Sequence, residues 1–193
     1  MISSICVYCG SNKGNSPEYA IAAADFGRLL AEKNIQLVYG GGQVGLMGIV
    51  ADAVLEHGGK AVGITPTFLT EREIHHHQLS ELIVVDTMHE RKQMMADMAD
   101  AFVALPGGLG TLDELFEILT WHQLHLHRKP IGLLNVNGYF DPVIQMMDNM
   151  VKEGFLHGAN RNIIINSDNI YDLLQQLSGY KPSEERNWYV DVR

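Results

Sequence analysis

Two cations and one carboxylate stand beside glycine-rich turns in this chain of 193 residues. Arg91 and Lys92 follow Met88-His89-Glu90. Glu114 closes the stretch Leu105-Pro106-Gly107-Gly108-Leu109-Gly110-Thr111-Leu112-Asp113-Glu114. The glycines remove side chains that would keep a ligand off the backbone. Free N–H groups at a helix start can then receive an anion, helped by the helix dipole. A carboxylate one turn into that helix would repel the anion, which hints at chemistry rather than binding alone. The competing explanation is a capping box, with Thr111 capping the helix and Glu114 reaching back to the Thr111 N–H. Arg91 and Lys92 open a helix at its positive end, a placement that costs roughly 0.3–1 kcal/mol per charge. Either a bound anion offsets that cost, or both side chains point to solvent.

Gly40-Gly41-Gly42-Gln43-Val44-Gly45 has the dinucleotide-fingerprint spacing between a strand and a helix. The next strand ends Ile64-Thr65-Pro66, without the acid that an NAD ribose requires. That leaves a phosphate or sugar cradle for a mononucleotide, or a tight turn. There is no GxxxxGK(S/T) loop and no GxSxG elbow, so neither that type of ATPase nor serine hydrolysis has support. Cys6 and Cys9 form a CxxC on a strand, so they face opposite sides of a sheet and read as buried, inert thiols. His75-His76-His77 and the trio His122, His125 and His127 match no zinc spacing. Met94, Met95, Met98, Met146, Met147 and Met150 recur at helical spacing and read as core or subunit-contact residues.

These groups need a scaffold, and the pattern along the chain supplies one. Short apolar runs at 4–9, 35–39, 61–64, 82–85, 101–105, 131–135 and 162–165 read as strands. Helical spacing is predicted between them: Ser16-Pro17 to Glu32, Gly45 to Glu56, His89 to Met98 after an Asp86-Thr87 cap, Leu112 to Leu126, Phe140 to Glu153, and a final helix from Asp168 to Leu177. Residues 67–80 are expected to be a surface loop, and 179–193 a loose tail. The strands are apolar and do not alternate, so both faces are buried. This predicts an α/β fold: a Rossmann-like, doubly wound, mainly parallel sheet of about seven strands in a single domain spanning 1–193. The glycine turns and the Arg91 segment fall at carboxyl ends of strands, the edge at which open parallel sheets bind ligands.

Composition narrows the function. The net charge of −9 argues against nucleic acid or an anionic membrane as partner. No apolar run approaches the 18 residues of a membrane span. Two cysteines cannot build a disulfide framework, and no secretory leader is expected from Met1-Ile2-Ser3-Ser4-Ile5, so the expected location is cytoplasmic.

The motifs together resemble a known family. Pro106 to Glu114 fits the PGGxGTxxE signature of the LOG family, the cytokinin riboside 5'-monophosphate phosphoribohydrolases, whose members have been misnamed lysine decarboxylases. Cys9-Gly10-Ser11, Tyr39-Gly40-Gly41-Gly42 with Gly45-Leu46-Met47-Gly48, Met88 to Lys92, Thr120-Trp121 and Lys129 to Asn135 extend the likeness over nearly the whole chain. The resemblance implies hydrolysis of the N-glycosidic bond of a purine nucleoside 5'-monophosphate, without metal or redox cofactor, by a homodimer with sites near the subunit interface. It implies Arg91 and Glu114 as the catalytic pair. Ser11, Gly42, Met47, Glu73, Lys92, Gly107, Gly108, Leu109, Gly110, Thr111, Leu112, Asp113 and Thr120 are the expected nucleotide contacts. Leu109, where tyrosine is common, and the triple histidine before Gln78 depart from the pattern. Two further readings stand beside this one. The first is a nucleotide-binding or carrier protein without turnover. The second, a pyridoxal-phosphate decarboxylase, lacks a lysine in the PGG segment.

Overall fold

The computed structural model describes residues 2–70 and 75–182. Seven strands form one sheet: Ser4–Tyr8 (β1), Gln36–Tyr39 (β2), Ala61–Pro66 (β3), Glu81–Val85 (β4), Ala101–Ala104 (β5), Ile131–Leu134 (β6) and Ile164–Ser167 (β7). Their order is β4-β3-β2-β1-β5-β6-β7, and every pairing is parallel. The helices are Pro17–Glu32 (α1), Gly45–Glu56 (α2), Thr67–Thr70 (α3), Met88–Met98 (α4), Leu109–Gln123 (α5), Asp141–Lys152 (α6), Gly158–Arg161 (α7) and Ile170–Gly179 (α8).

Alternation along the central strands sorts the core into two layers. Ile5, Val7, Leu37 and Tyr39 pack on Phe26 and Leu30 of α1, Val50 of α2 and Leu173 of α8. Cys6, Val38, Phe102 and Leu133 pack on the other side with Met95 of α4, Leu115 and Ile118 of α5 and Met147 of α6. The two cysteines therefore lie on opposite faces, as the strand period requires, and both are buried and free. Burying both faces explains the unbroken apolar runs. The edge strands depart: Val84 of β4 is half exposed and Asn166 of β7 is exposed.

Several boundaries differ from the sequence pattern. Strand β7 begins two residues later than expected, because the single turn of α7 and Asn162 occupy the preceding positions. Helix α8 is capped by Asn169 rather than Asp168: the Asn169 Oδ1 accepts from the N–H groups of Tyr171 and Asp172. Helix α5 begins at Leu109, three residues early, with Gly108 at its cap position and no side-chain cap. The stretch expected as a surface loop contains α3, and its His76 is buried. Part of that stretch, residues 71–74, lies outside the described residues, as does most of the tail expected from 179.

The winding runs one way from β1 to β4 and the other way from β5 to β7. The reversal falls between β1 and β5, where the loops leaving adjacent strands diverge and open a crevice. The Gly10 N–H donates to the Pro106 carbonyl at 3.1 Å and laces the two loops together. At the opposite end of the same strands, the Asp100 carboxylate accepts from the Ser3 and Ser4 N–H groups and fixes the start of β1.

Candidate active site

Arg91 comes from the first turns of α4, which begins in a capping box: Thr87 Oγ1 accepts from the Glu90 N–H, and the Glu90 carboxylate accepts from the Thr87 N–H. That box fixes the helix start and leaves Arg91 pointing inward. Its Nε donates to the Ile64 carbonyl at 3.0 Å, and its Nη1 donates to Glu114 Oε1 at 3.0 Å. The guanidinium lies against Gly40, where a Cβ would stand 1.7 Å from Nη2. Only glycine leaves room for it there. The Arg91 and Glu114 side chains are 9% and 11% exposed.

Glu114 therefore does not cap α5; its carboxylate is turned to Arg91 instead. Burial pushes its pKa above the ordinary carboxylate value, and the attraction of Arg91 only partly counteracts it. Among the described residues Arg91 is its one hydrogen-bond partner. Burial, then the Glu114 charge, push the thiols of Cys6 and Cys9 far up, so both stay protonated.

Lys92 points to solvent no more than Arg91 does. Its Nζ donates to Glu117 at 3.0 Å and Asp113 at 3.2 Å, both on α5. Carboxylates from the neighbouring helix thus offset the charge of Lys92 near the positive end of α4, beside Glu90 in its first turn. Burial pulls the Lys92 pKa down, but the two carboxylates outweigh it and hold the ammonium above its ordinary value.

The glycine turn after β5 sits beside this pair. A Cβ on Gly107 would stand 2.1 Å from Thr111 Oγ1, so the turn closes tightly onto the first turn of α5. Thr111 is buried, whereas Gly108, Leu109 and Gly110 are exposed. With no side-chain cap, the N–H groups opening α5 have no intrahelical partner, the arrangement that can receive an anion. Ser11 lies in the loop after β1, on the wall of a 250 Å³ cavity shared with Gly107 and Gly108. Gly42 belongs to the turn after β2 and Met47 to the first turn of α2, with Met47 Cε 2.7 Å from a Cβ built on Gly42.

The expected contacts thus divide. Arg91, Glu114 and the glycine turns of β1, β2 and β5 gather at the carboxyl edge of the sheet. Leu109, Leu112, Asp113 and Thr120 line an open groove of about 600 Å³ on the outer face of α5, with Phe116 and Glu117. Thr120 Oγ1 donates to the Phe116 carbonyl at 2.7 Å. Glu73 lies outside the described residues. No group of histidine, cysteine or carboxylate side chains among the described residues has the arrangement of a metal site.

A family model described as "Possible lysine decarboxylase" matches residues 47–177. Cytokinin riboside 5'-monophosphate phosphoribohydrolases are similar over most of the chain. Two from Arabidopsis thaliana are 49% and 51% identical, covering 94% and 92% of this chain and 85% and 82% of their own. One from Oryza sativa subsp. japonica is 49% identical over 94% of this chain and 75% of its own. The chain belongs to this family, as the PGGxGTxxE segment predicts. Among solved structures, a molybdenum cofactor binding protein from Rippkaea orientalis aligns with a TM-score of 0.71 at 20% identity, over 93% of this chain and 97% of its own. A molybdenum cofactor carrier protein from Chlamydomonas reinhardtii aligns at 0.69 and 19%, over 93% and 99%. At that identity the likeness concerns the fold alone. The decarboxylase activity in the family's description finds no candidate in Lys92. A Schiff-base lysine needs a neutral amine, and Lys92 is held as an ammonium between two carboxylates.

Reasoning from sequence misses three parts of this LOG-family site. The Ile64 carbonyl anchors Arg91, and a main-chain acceptor leaves no mark in sequence. Gly40 seats the guanidinium, and only its place in a triple glycine could have signalled it. The third is a strap: the Gly41 carbonyl accepts from the His76 N–H at 2.8 Å, and His76 Nε2 pairs with Asp52 Oδ1 at 2.8 Å. One histidine among three in a row gives no such signal.

Proposed function

We propose that this chain hydrolyses the N-glycosidic bond of purine nucleoside 5'-monophosphates, AMP or its N6-modified cytokinin analogues, to the free base and ribose 5-phosphate. The carrying observation is the buried Arg91–Glu114 pair beside an uncapped glycine turn. Breaking the bond from C1′ to the base nitrogen develops positive charge on the ribose ring. A carboxylate with one oxygen engaged by Arg91 stabilises that charge with the other and orients a water toward C1′. The water oxygen bonds to C1′, the base leaves with the bonding electrons, and a water proton ends on the base. The backbone at Gly107–Gly110 holds the 5'-phosphate, with Ser11 on the facing loop. Arg91 keeps Glu114 ionised and in place. The activity for which the close relatives are named supports the same reaction.

In this reading the whole chain acts as a single domain in the cytoplasm, assembled as a homodimer, with neither nucleic acid nor membrane as partner. Exposed Leu109 and the apolar side chains along the outer face of α5 supply a surface for a second subunit. No described helix is long and apolar enough to cross a membrane. The test is incubation with AMP, N6-isopentenyl-AMP and adenosine, with chromatographic detection of free base. Fast release from the monophosphates and slow release from adenosine is expected. Equal rates for AMP and adenosine would remove the phosphate anchor, and nucleotide binding without base release would favour a carrier.

A further inference from the structure

Tyr139 lies in the loop that follows β6. The loop begins with a 3₁₀ turn over Val136–Gly138, in which Asn137 and Gly138 both take left-handed backbone angles. Asn135 locks the loop from beneath. Its Oδ1 accepts from the Phe140 N–H at 2.7 Å, and its Nδ2 donates to Asp141 Oδ1 at 2.7 Å. The Tyr139 ring packs edge-on against Tyr19 and Phe140, with centroids 5.7 and 5.2 Å away. A tyrosine held between two rings on a locked loop presents its hydroxyl in a defined place, and that hydroxyl donates to the Gly107 carbonyl.

The acceptor matters because of where it sits. In a trans peptide the C=O of one residue and the N–H of the next point in opposite directions. Gly107 and Gly108 have no side chains to hold the peptide between them, so its orientation depends on hydrogen bonds from outside the turn. Tyr139 approaches from the β6 side of β5, whereas Arg91 and Gly40 lie beyond β1 on the other side. Holding the Gly107 C=O toward Tyr139 therefore turns the Gly108 N–H away from Tyr139.

We propose that Tyr139 is a positioning residue for phosphate binding: its hydroxyl sets the orientation of the Gly107–Gly108 peptide, and so aims one donor of the anion cradle. This rests on the reading of the site as a 5'-monophosphate hydrolase. The hydroxyl borders the 250 Å³ cavity and the ring is 39% exposed, so Tyr139→Phe removes the donor while leaving the fold in place. A turn free to rotate loses about one hydrogen bond's worth of preorganised affinity, a factor of about 5–20.

The experiment compares wild type, Tyr139→Phe and Tyr139→Ala. It measures kcat and KM for AMP, kcat/KM for adenosine, and ribose 5-phosphate affinity by calorimetry. Tyr139→Phe is expected to raise KM for AMP and Kd for ribose 5-phosphate about 5–20-fold, to change kcat much less, and to leave adenosine cleavage unaltered. If Tyr139→Phe matches wild type in both constants, whatever Tyr139→Ala does, the hydroxyl has no such role. Parallel losses on AMP and adenosine would equally overturn the proposal, because they indicate general damage to the site. If wild type itself neither cleaves AMP nor binds ribose 5-phosphate, the hydrolase reading fails and this proposal fails with it.

Discussion

Arg91 Nη1 meets Glu114 Oε1 at 3.0 Å between α4 and α5, with both side chains nearly out of water. Removing one partner of such a buried pair leaves the other uncompensated. Burial still outweighs Arg91 in setting the Glu114 pKa, so the ionised carboxylate is held at a net cost. Sites that spend folding stability in this way are candidates for chemistry.

Glu114→Gln separates the catalytic assignment from a structural one. Gln keeps the shape and accepts from Arg91, but it carries no charge. Base release from AMP should fall about 10²–10⁴-fold. The fold should persist because Gln still accepts from Arg91, but the thermal midpoint at pH 7 should drop, because the buried guanidinium loses its counter-charge. Turnover within about threefold of wild type would refute the assignment.

Gly40→Ala tests Arg91 from the opposite side. The added methyl meets only the far end of a flexible side chain, so the fold should survive while the guanidinium is pushed off Glu114. Misplacing a positioned group by an ångström costs about 10²-fold in rate. The expected result is a loss of kcat/KM of about 10–10²-fold with an unchanged circular dichroism spectrum. Wild-type activity would mean that the contact is dispensable.

The pH profile carries the sign of the Glu114 shift. The proposed role needs the ionised carboxylate, whose pKa is raised, so activity should fall on the acid side at a pH above the ordinary carboxylate value of 4.5. The phosphate of AMP has its own titration near pH 6, so the residual activity of Glu114→Gln serves as control. An acid limb identical in both proteins would assign it to the substrate.

His122 gives a stability prediction. Burial, then the neighbouring His127 and His125, lower its pKa to about 4. Its ring packs edge-on against His127, and its Nε2 pairs with the Tyr180 hydroxyl at 3.0 Å. Between pH 6.5 and 4 the unfolded chain binds a proton here that the native state refuses. Stability is therefore complete above about 6.5 and declines as the pH falls toward 4. His122→Gln should flatten that part of the thermal-midpoint profile. His127, also lowered by burial, contributes in the same direction. A slope unchanged in His122→Gln would exclude this origin.

Most of the scaffold is legible in the sequence because its signals are local. Pro17 and Glu32 bound α1, and Gly45 and Glu56 bound α2, as their caps and periodicity predict. The start of α5 misleads for a physical reason. Thr111 has the spacing of a capping residue, but its hydroxyl is packed against Gly107, and Glu114 is drawn away by a cation 23 positions earlier in the chain. The carboxylates that hold Lys92 are hidden for a similar reason: Asp113 and Glu117 lie one helical turn apart on a different helix. Sequence shows which residues carry charge; it does not show which helices face each other.

The position of β1 has a consequence for how the chain comes together. Residues 4–8 form the middle strand of seven, yet one of its two neighbours, β5, begins only at residue 101. During synthesis β1 can pair with β2 early, but its other backbone edge stays open until nearly a hundred further residues have emerged. An open edge invites pairing with a second nascent chain. The later half therefore brings the glycine turn of the site and, in the same step, closes the edge most prone to aggregation. A fragment ending before Ala101 would lack both.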